Sequence, residues 1–118
     1  MSAQRERFQQ LLAAGQDNAL LRFALASALT GDGHWLEAIA HLEEALRQDP
    51  AYSAAWKLLS RAFLEVGQPE RVLDVCAQGI AVARQRGDLQ AVKEMEVFAR
   101  RANKQLEAGA PARPNGGV

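Results

Sequence analysis

Cysteine is almost missing from this chain: Cys76 is the single one among 118 residues, so no intramolecular disulfide can form and packing must hold the fold. Net charge is missing too. Fourteen Lys and Arg residues cancel fourteen Asp and Glu residues, which leaves no overall field to draw in nucleic acid or an anionic membrane surface. No apolar run reaches the roughly 20 residues of a membrane span, and the opening MSAQRERFQQLLAAGQ has no apolar stretch long enough for a signal peptide. The expectation is a cytoplasmic protein with neither a membrane nor a nucleic acid as partner. The alternating, β-branched runs that mark strands are also absent. Apolar residues recur instead at intervals of three and four, which predicts an all-α chain, and the length suits one domain.

Small residues occur where a solitary amphipathic helix would carry large ones. In GDGHWLEAIAHLEEALRQDP, Ala38 and Ala45 lie on the same stripe as Leu42. A shift of thirty-four positions explains them: Leu25 falls on Leu59, Ala26 on Ser60, Ala28 on Ala62, Leu29 on Phe63 and Gly33 on Gly67. Ala38 then falls on Val72, Leu42 on Cys76, Ala45 on Gly79 and Leu46 on Ile80. Each unit reads as helix, glycine turn, helix. The small positions are those where the second helix of a unit crosses its own first helix and the first helix of the next unit at close range.

The pattern resembles the tetratricopeptide repeat. Trp56, Leu59, Ser60, Phe63 and Gly67 match the first half of that motif, and Ala38, Leu42, Ala45 and Pro50 match the second half. The match covers two units, about 18–51 and 52–86. Arg22 stands in place of the motif's Trp in the first unit, and Val72, Cys76 and Arg84 replace its Ala, Phe and Pro in the second. Loss of that proline predicts a helix that runs on to about Gly87. The resemblance implies a right-handed α-α superhelix of about six helices.

Two repeats leave two apolar faces uncovered, and the flanks supply covers. A short helix over Ala3 to Ala14, with Phe8, Leu11 and Leu12, is predicted to cover the first repeat. A helix over 88–107, with Asp88 as N-cap and Leu89, Val92, Met95, Ala99, Ala102 and Leu106 on one face, is predicted to cover the second. The domain therefore spans 1–107. Residues 108–118, rich in glycine and proline, are expected to be a disordered tail.

Family members of this type bind peptides or partner proteins in the concave groove lined by the first helix of each repeat. By position, the resemblance implies a groove lined by Leu20, Phe23, Ser27 and Thr30, then by Ala54, Lys57, Arg61 and Glu65, and finally by Lys93, Val97 and Arg100 from the last helix. Lys57 and Arg61, four apart, can reach one anionic group; they serve either as peptide contacts or as solvated charges. Some members clamp the C-terminal carboxylate of a heat-shock chaperone with Lys, Asn and Arg. Here Ser27 and Thr30 replace the amides, so the match to that clamp is partial.

No constellation with catalytic spacing emerges. Trp35 and Trp56 sit at packing positions rather than on a stacking platform, Cys76 takes a large apolar position and is expected to be inert, and Glu37 with His41 makes an i, i+4 pair that lacks a third metal ligand. The expectation is a non-enzymatic adaptor or scaffold without cofactor, monomeric or weakly dimeric, that binds a peptide or protein segment of acidic character. The alternative is a structural subunit that self-associates, or docks in a larger complex, through its last helix.

Overall fold

The computed structural model describes residues 2–109. Six helices follow one another: α1 (Ala3–Ala13), α2 (Ala19–Gly31), α3 (Trp35–Gln48), α4 (Ser53–Glu65), α5 (Pro69–Arg86) and α6 (Leu89–Gly109). Among the described residues there is no strand. The predicted all-α, right-handed superhelical stack is the observed one.

Local chemistry sets the helix starts. Ser2 accepts a hydrogen bond from the Arg5 amide at 3.0 Å, and Asn18 accepts one from the Leu21 amide at 2.8 Å. Both are N-caps that satisfy amides lacking an intrahelical partner. Asp88 caps α6, accepting from the Ala91 amide at 3.1 Å. Its second oxygen accepts the Ser53 hydroxyl at 2.7 Å, which ties the start of α6 to the start of α4. The turns inside the two pairs α2/α3 and α4/α5 hold Gly33 at φ 81° and Gly67 at φ 74°, left-handed conformations in which a Cβ would be strained. α5 closes at Gly87, as loss of the motif's proline predicts.

Each helix packs chiefly on its sequence neighbours, and α4 also packs on α6. The core therefore runs along the stack. Leu25 and Leu29 from α2, Leu42 from α3, Val72 and Cys76 from α5 and Met95 from α6 are almost wholly shielded. Ser60, buried among them, is satisfied by donating to the Trp56 carbonyl at 2.9 Å. Ala38 and Ala45 have no exposed surface, in keeping with their place between helices.

Gly79 shows how tight that place is. A Cβ added there would lie 2.7 Å from Met95 Sδ of α6 and 2.8 Å from Trp56 Cβ of α4. α5 is wedged between α4 and α6 where its backbone is bare. Trp56 lies against it, its indole N–H donating to the Pro50 carbonyl at 2.8 Å, so this ring is packing material, as its repeat position predicts.

The two covers differ. α6 buries Ala91, Val92, Met95 and Ala102 and continues two residues past its predicted end; the rest of the predicted tail, 110–118, lies outside the described residues. α1 buries no residue completely. It is held by Phe8 and Leu12 against the core and by an ion pair from Arg5 to Asp32 at 3.0 Å.

Two glycine substitutions should separate helix propensity from packing. Gly31→Ala, at a helical position with nothing near its missing Cβ, should leave stability unchanged or raise it by up to about 1 kcal/mol. Gly79→Ala should lower it by roughly 1–3 kcal/mol, because overpacking outweighs the same propensity gain. Urea unfolding followed by circular dichroism reads both; equal effects would show that α5 is not wedged at Gly79.

Candidate functional site

The concave face is built from the first helices of the two pairs, α2 and α4, continued by α6. On α2, the interior takes Leu25, Ala26 and Leu29. Leu20, Phe23 and Ser27 lie on the other side by helix phase. Leu20 is 71% exposed, the most exposed large apolar residue among those described. The Phe23 ring lies 5.0 Å from the Tyr52 ring, tilted by 36°, within the range of favourable aromatic contacts.

Phe8, Leu20, Phe23, Ser27, Asp32 and Tyr52 line an open cleft of about 590 Å³ between α1 and the start of α4. A smaller cleft of about 370 Å³ adjoins it, lined by Ala19, Leu20, Tyr52, Ala54 and Arg86 among others. Leu20 and Tyr52 belong to both and form the ridge between them. Tyr52 is partly shielded, and burial together with nearby Asp49 raises its phenol pKa. Its hydroxyl is a neutral donor near pH 7.

Phe23 and Ser27 were expected in the groove and line this cleft. Thr30, expected beside them, spends its hydroxyl on the Ser27 carbonyl at 2.8 Å and does not line either cleft. Tyr52, Phe8 and Arg86 were not foreseen. They come from an inter-repeat loop, from the cover helix and from the far end of α5, and only the fold brings them to the groove.

The groove cations on α4 are already engaged. Lys57 Nζ is 3.2 Å from Glu94 of α6, and Glu94 is held below the usual carboxylate range by hydrogen bonds from Gln90 and from Lys57. Arg61 is 3.8 Å from Glu65, one turn on, and its guanidinium carbon lies 5.3 Å from the centre of the Trp35 ring, a cation–π distance. The two do not share a common anion here; each has its own. Lys93 and Arg100 are exposed on α6, on the side opposite Met95 and Ala102 by helix phase, and neither meets Lys57 or Arg61.

The remaining candidates are accounted for in the same terms. Cys76 is 2% exposed, its thiol donates to the Met95 carbonyl at 3.4 Å, and burial pushes its pKa up, partly offset by Ser60. A thiol held protonated is a poor nucleophile. Glu37 and His41 do not form a pair: Glu37 lies 3.6 Å from His34, and His41 Nδ1 lies 3.0 Å from Arg22 Nη1. Because a guanidinium can only donate, Nδ1 must accept, which leaves the proton of the neutral ring on Nε2. Arg22 also grips Asp17 through two bonds of 2.8 and 2.7 Å, and Gln48 donates to the same carboxylate at 2.9 Å. The Arg that replaces the motif's Trp thus organises a polar cluster joining α2 to α3.

A stack of paired antiparallel helices with a lined concave face defines a helical-repeat protein, and comparison with known proteins gives the family. The tetratricopeptide repeat model matches residues 29–95, and the chain belongs to the tetratricopeptide repeat family. It is 42% identical over 99 residues to a TPR repeat-containing protein of Pseudomonas aeruginosa, covering 84% of this chain and 94% of that one. A solution structure of a Bordetella parapertussis protein superposes with a TM-score of 0.79 at 37% identity, covering 96% of this chain and 98% of the other. A crystal structure of a tetratricopeptide repeat domain protein from Salinibacter ruber gives 0.67 at 27% identity, over 73% of this chain and 97% of that one. Repeats of this family are in general non-catalytic protein–protein interaction modules.

The Arg22 cluster makes stability depend on pH with a definite sign. Burial, then the Arg22 charge, lowers the His41 pKa, and Glu37 and Asp17 oppose the shift without reversing it. The unfolded chain then binds the proton more readily, so stability is complete above about pH 6.5 and falls as pH drops towards the depressed native pKa. Asp17 is shifted in the same direction by Arg22 and Gln48, and its share is lost only below the ordinary carboxylate range. Urea midpoints measured from pH 7.5 to 5 should fall for the parent chain, and His41→Gln should flatten that segment of the curve. An unchanged slope in the variant would show that His41 is not the group responsible.

Proposed function

We propose that the concave face binds a segment of another protein, and that a large apolar side chain of that segment seats against Leu20, Phe23 and Tyr52. The observation that supports this reading most is the exposure of Leu20 beside the Phe23–Tyr52 ring pair. An apolar ridge between two clefts does nothing for the core, and covering it releases water at about 25 cal/mol per Å². Acidic residues of the segment would lie beside Arg61, whose own acid is 3.8 Å away and loosely held, or would exchange with Glu94 at Lys57. Apolar anchoring supplies the affinity and charge supplies the orientation. The absence of net charge argues for a protein partner over a nucleic acid or a membrane surface, and the buried thiol and the engaged histidines argue for a non-catalytic role.

The test is affinity capture from the native cell with the full chain and two variants. Leu20→Asp should abolish capture and leave the melting temperature within a degree or two, since the side chain is largely in solvent. Arg61→Glu should weaken capture several-fold and reduce its salt dependence, again with little change in melting, because exposed ion pairs contribute about 0–1 kcal/mol. Capture that survives Leu20→Asp undiminished would place the binding surface elsewhere.

A further inference from the structure

α6 begins 36 residues after α4, and in that register Lys93, Glu96 and Arg100 are the counterparts of Lys57, Ser60 and Leu64. Those three α4 residues share the side turned to α6 by their spacing of three and four. Lys57 meets Glu94 there, and Ser60 and Leu64 are buried. The corresponding side of α6 has no neighbour among the described residues.

Lys93, Val97, Arg100 and Lys104, at spacings of four, three and four, form one stripe along it, about 16 Å from end to end. The three cations are exposed and have no carboxylate within ion-pair distance among the described residues: Glu94 reaches Lys57, and Glu96, at the edge of the same side, is drawn to Arg84 of α5 at 3.4 Å. Glu107, one turn past Lys104, makes no ion pair among the described residues.

We infer that this stripe is a docking face for an acidic helix of another protein, seated on α6 as α6 is seated on α4. The bridge from Lys57 to Glu94 is the template: Lys93 occupies the cation's place one helix further on, and the acid that would answer it must come from outside the described chain. The position of buried Leu64 has become Arg100, so a purely apolar helix would bury that guanidinium without a partner. A helix with carboxylates at seven- and four-residue spacing, and an apolar side chain against partly shielded Val97, meets all four residues. A second copy of this chain does not fit, since two α6 stripes laid together oppose cation to cation. The groove at Leu20 is a separate surface and plays no part in this inference.

The test uses the full chain, ¹⁵N-labelled, and a synthetic Ala-based helical peptide carrying three glutamates at that spacing with one leucine between them. A twin peptide carries glutamine in place of glutamate. Titration of the glutamate peptide should move amide signals within Leu89–Gly109, and its affinity should drop about tenfold between roughly 20 and 200 mM salt. The glutamine twin and the triple variant Lys93→Glu, Arg100→Glu, Lys104→Glu should both lose binding, with the variant's circular dichroism unchanged because all three side chains are exposed. Leu20→Asp should bind the peptide as the parent does, which separates this face from the groove. Any one of four results would overturn the inference: no binding at low salt, shifts centred on Lys57, Arg61 or Leu20, undiminished binding by the triple variant, or an equal response to a single-stranded oligonucleotide of the same charge.

Discussion

The missing side chain at Gly79 is the constraint on which the rest of the stack depends. Met95 and Trp56 both come within 3 Å of where its Cβ would be, so the spacing of α4, α5 and α6 at that level is set by side chains resting directly on backbone. With α5 driven in that far, α4 and α6 lie close enough for Asp88 to take the Ser53 hydroxyl and for Glu94 to reach Lys57. The concave face follows from this: one bare position brings two first helices side by side and turns their polar flanks to the same side.

Half of the eight ion pairs among the described residues cross from one helix to another. Lys57 to Glu94, Arg71 to Glu43 and Arg84 to Glu96 join α4 to α6, α5 to α3 and α5 to α6, and Arg5 to Asp32 joins α1 to the end of α2. At these exposures such pairs add little stability. Their effect is on register, since a helix displaced by one turn would set like charges together or leave both partners alone. The concave face is therefore nearly neutral along α4, and its distinguishing chemistry is the apolar ridge of Leu20 and Tyr52.

The fold was legible in the sequence because the features that define it are local and repeated. Gly33 and Gly67 mark turns, Asp88 marks a helix start, and Ala45 and Gly79 mark crossings, each readable from spacing alone. The placing of Phe23, Lys57 and Arg61 in a groove comes from the family resemblance, carried over position by position. What could not be read depends on which distant segments meet. Tyr52 lies between two helices and carries no periodic signal, Phe8 looks like part of a cover rather than of a cleft, and Arg86 reaches the groove only because α5 outruns the usual repeat length. The engagement of Lys57 by Glu94 was likewise invisible, since nothing in the interval between them says that α6 lies against α4. Arg22 was readable as a departure from the motif, but its bonds to Asp17 and His41 appear only when α2 and α3 are packed.

The unequal covers give the array a direction. α1 has 11 residues, none of them buried, and is shorter than the roughly 12–15 residues at which an isolated helix begins to persist in water; its helical state is borrowed from contact with α2. α6 has 21 residues and packs on two helices. Local opening therefore begins at the N-terminal end and stops at α2, where the apolar interior starts. Phe8 lines the cleft from α1, so the wall beside Leu20 is only as firm as the hold of Phe8, Leu12 and the Arg5–Asp32 pair on the rest of the stack.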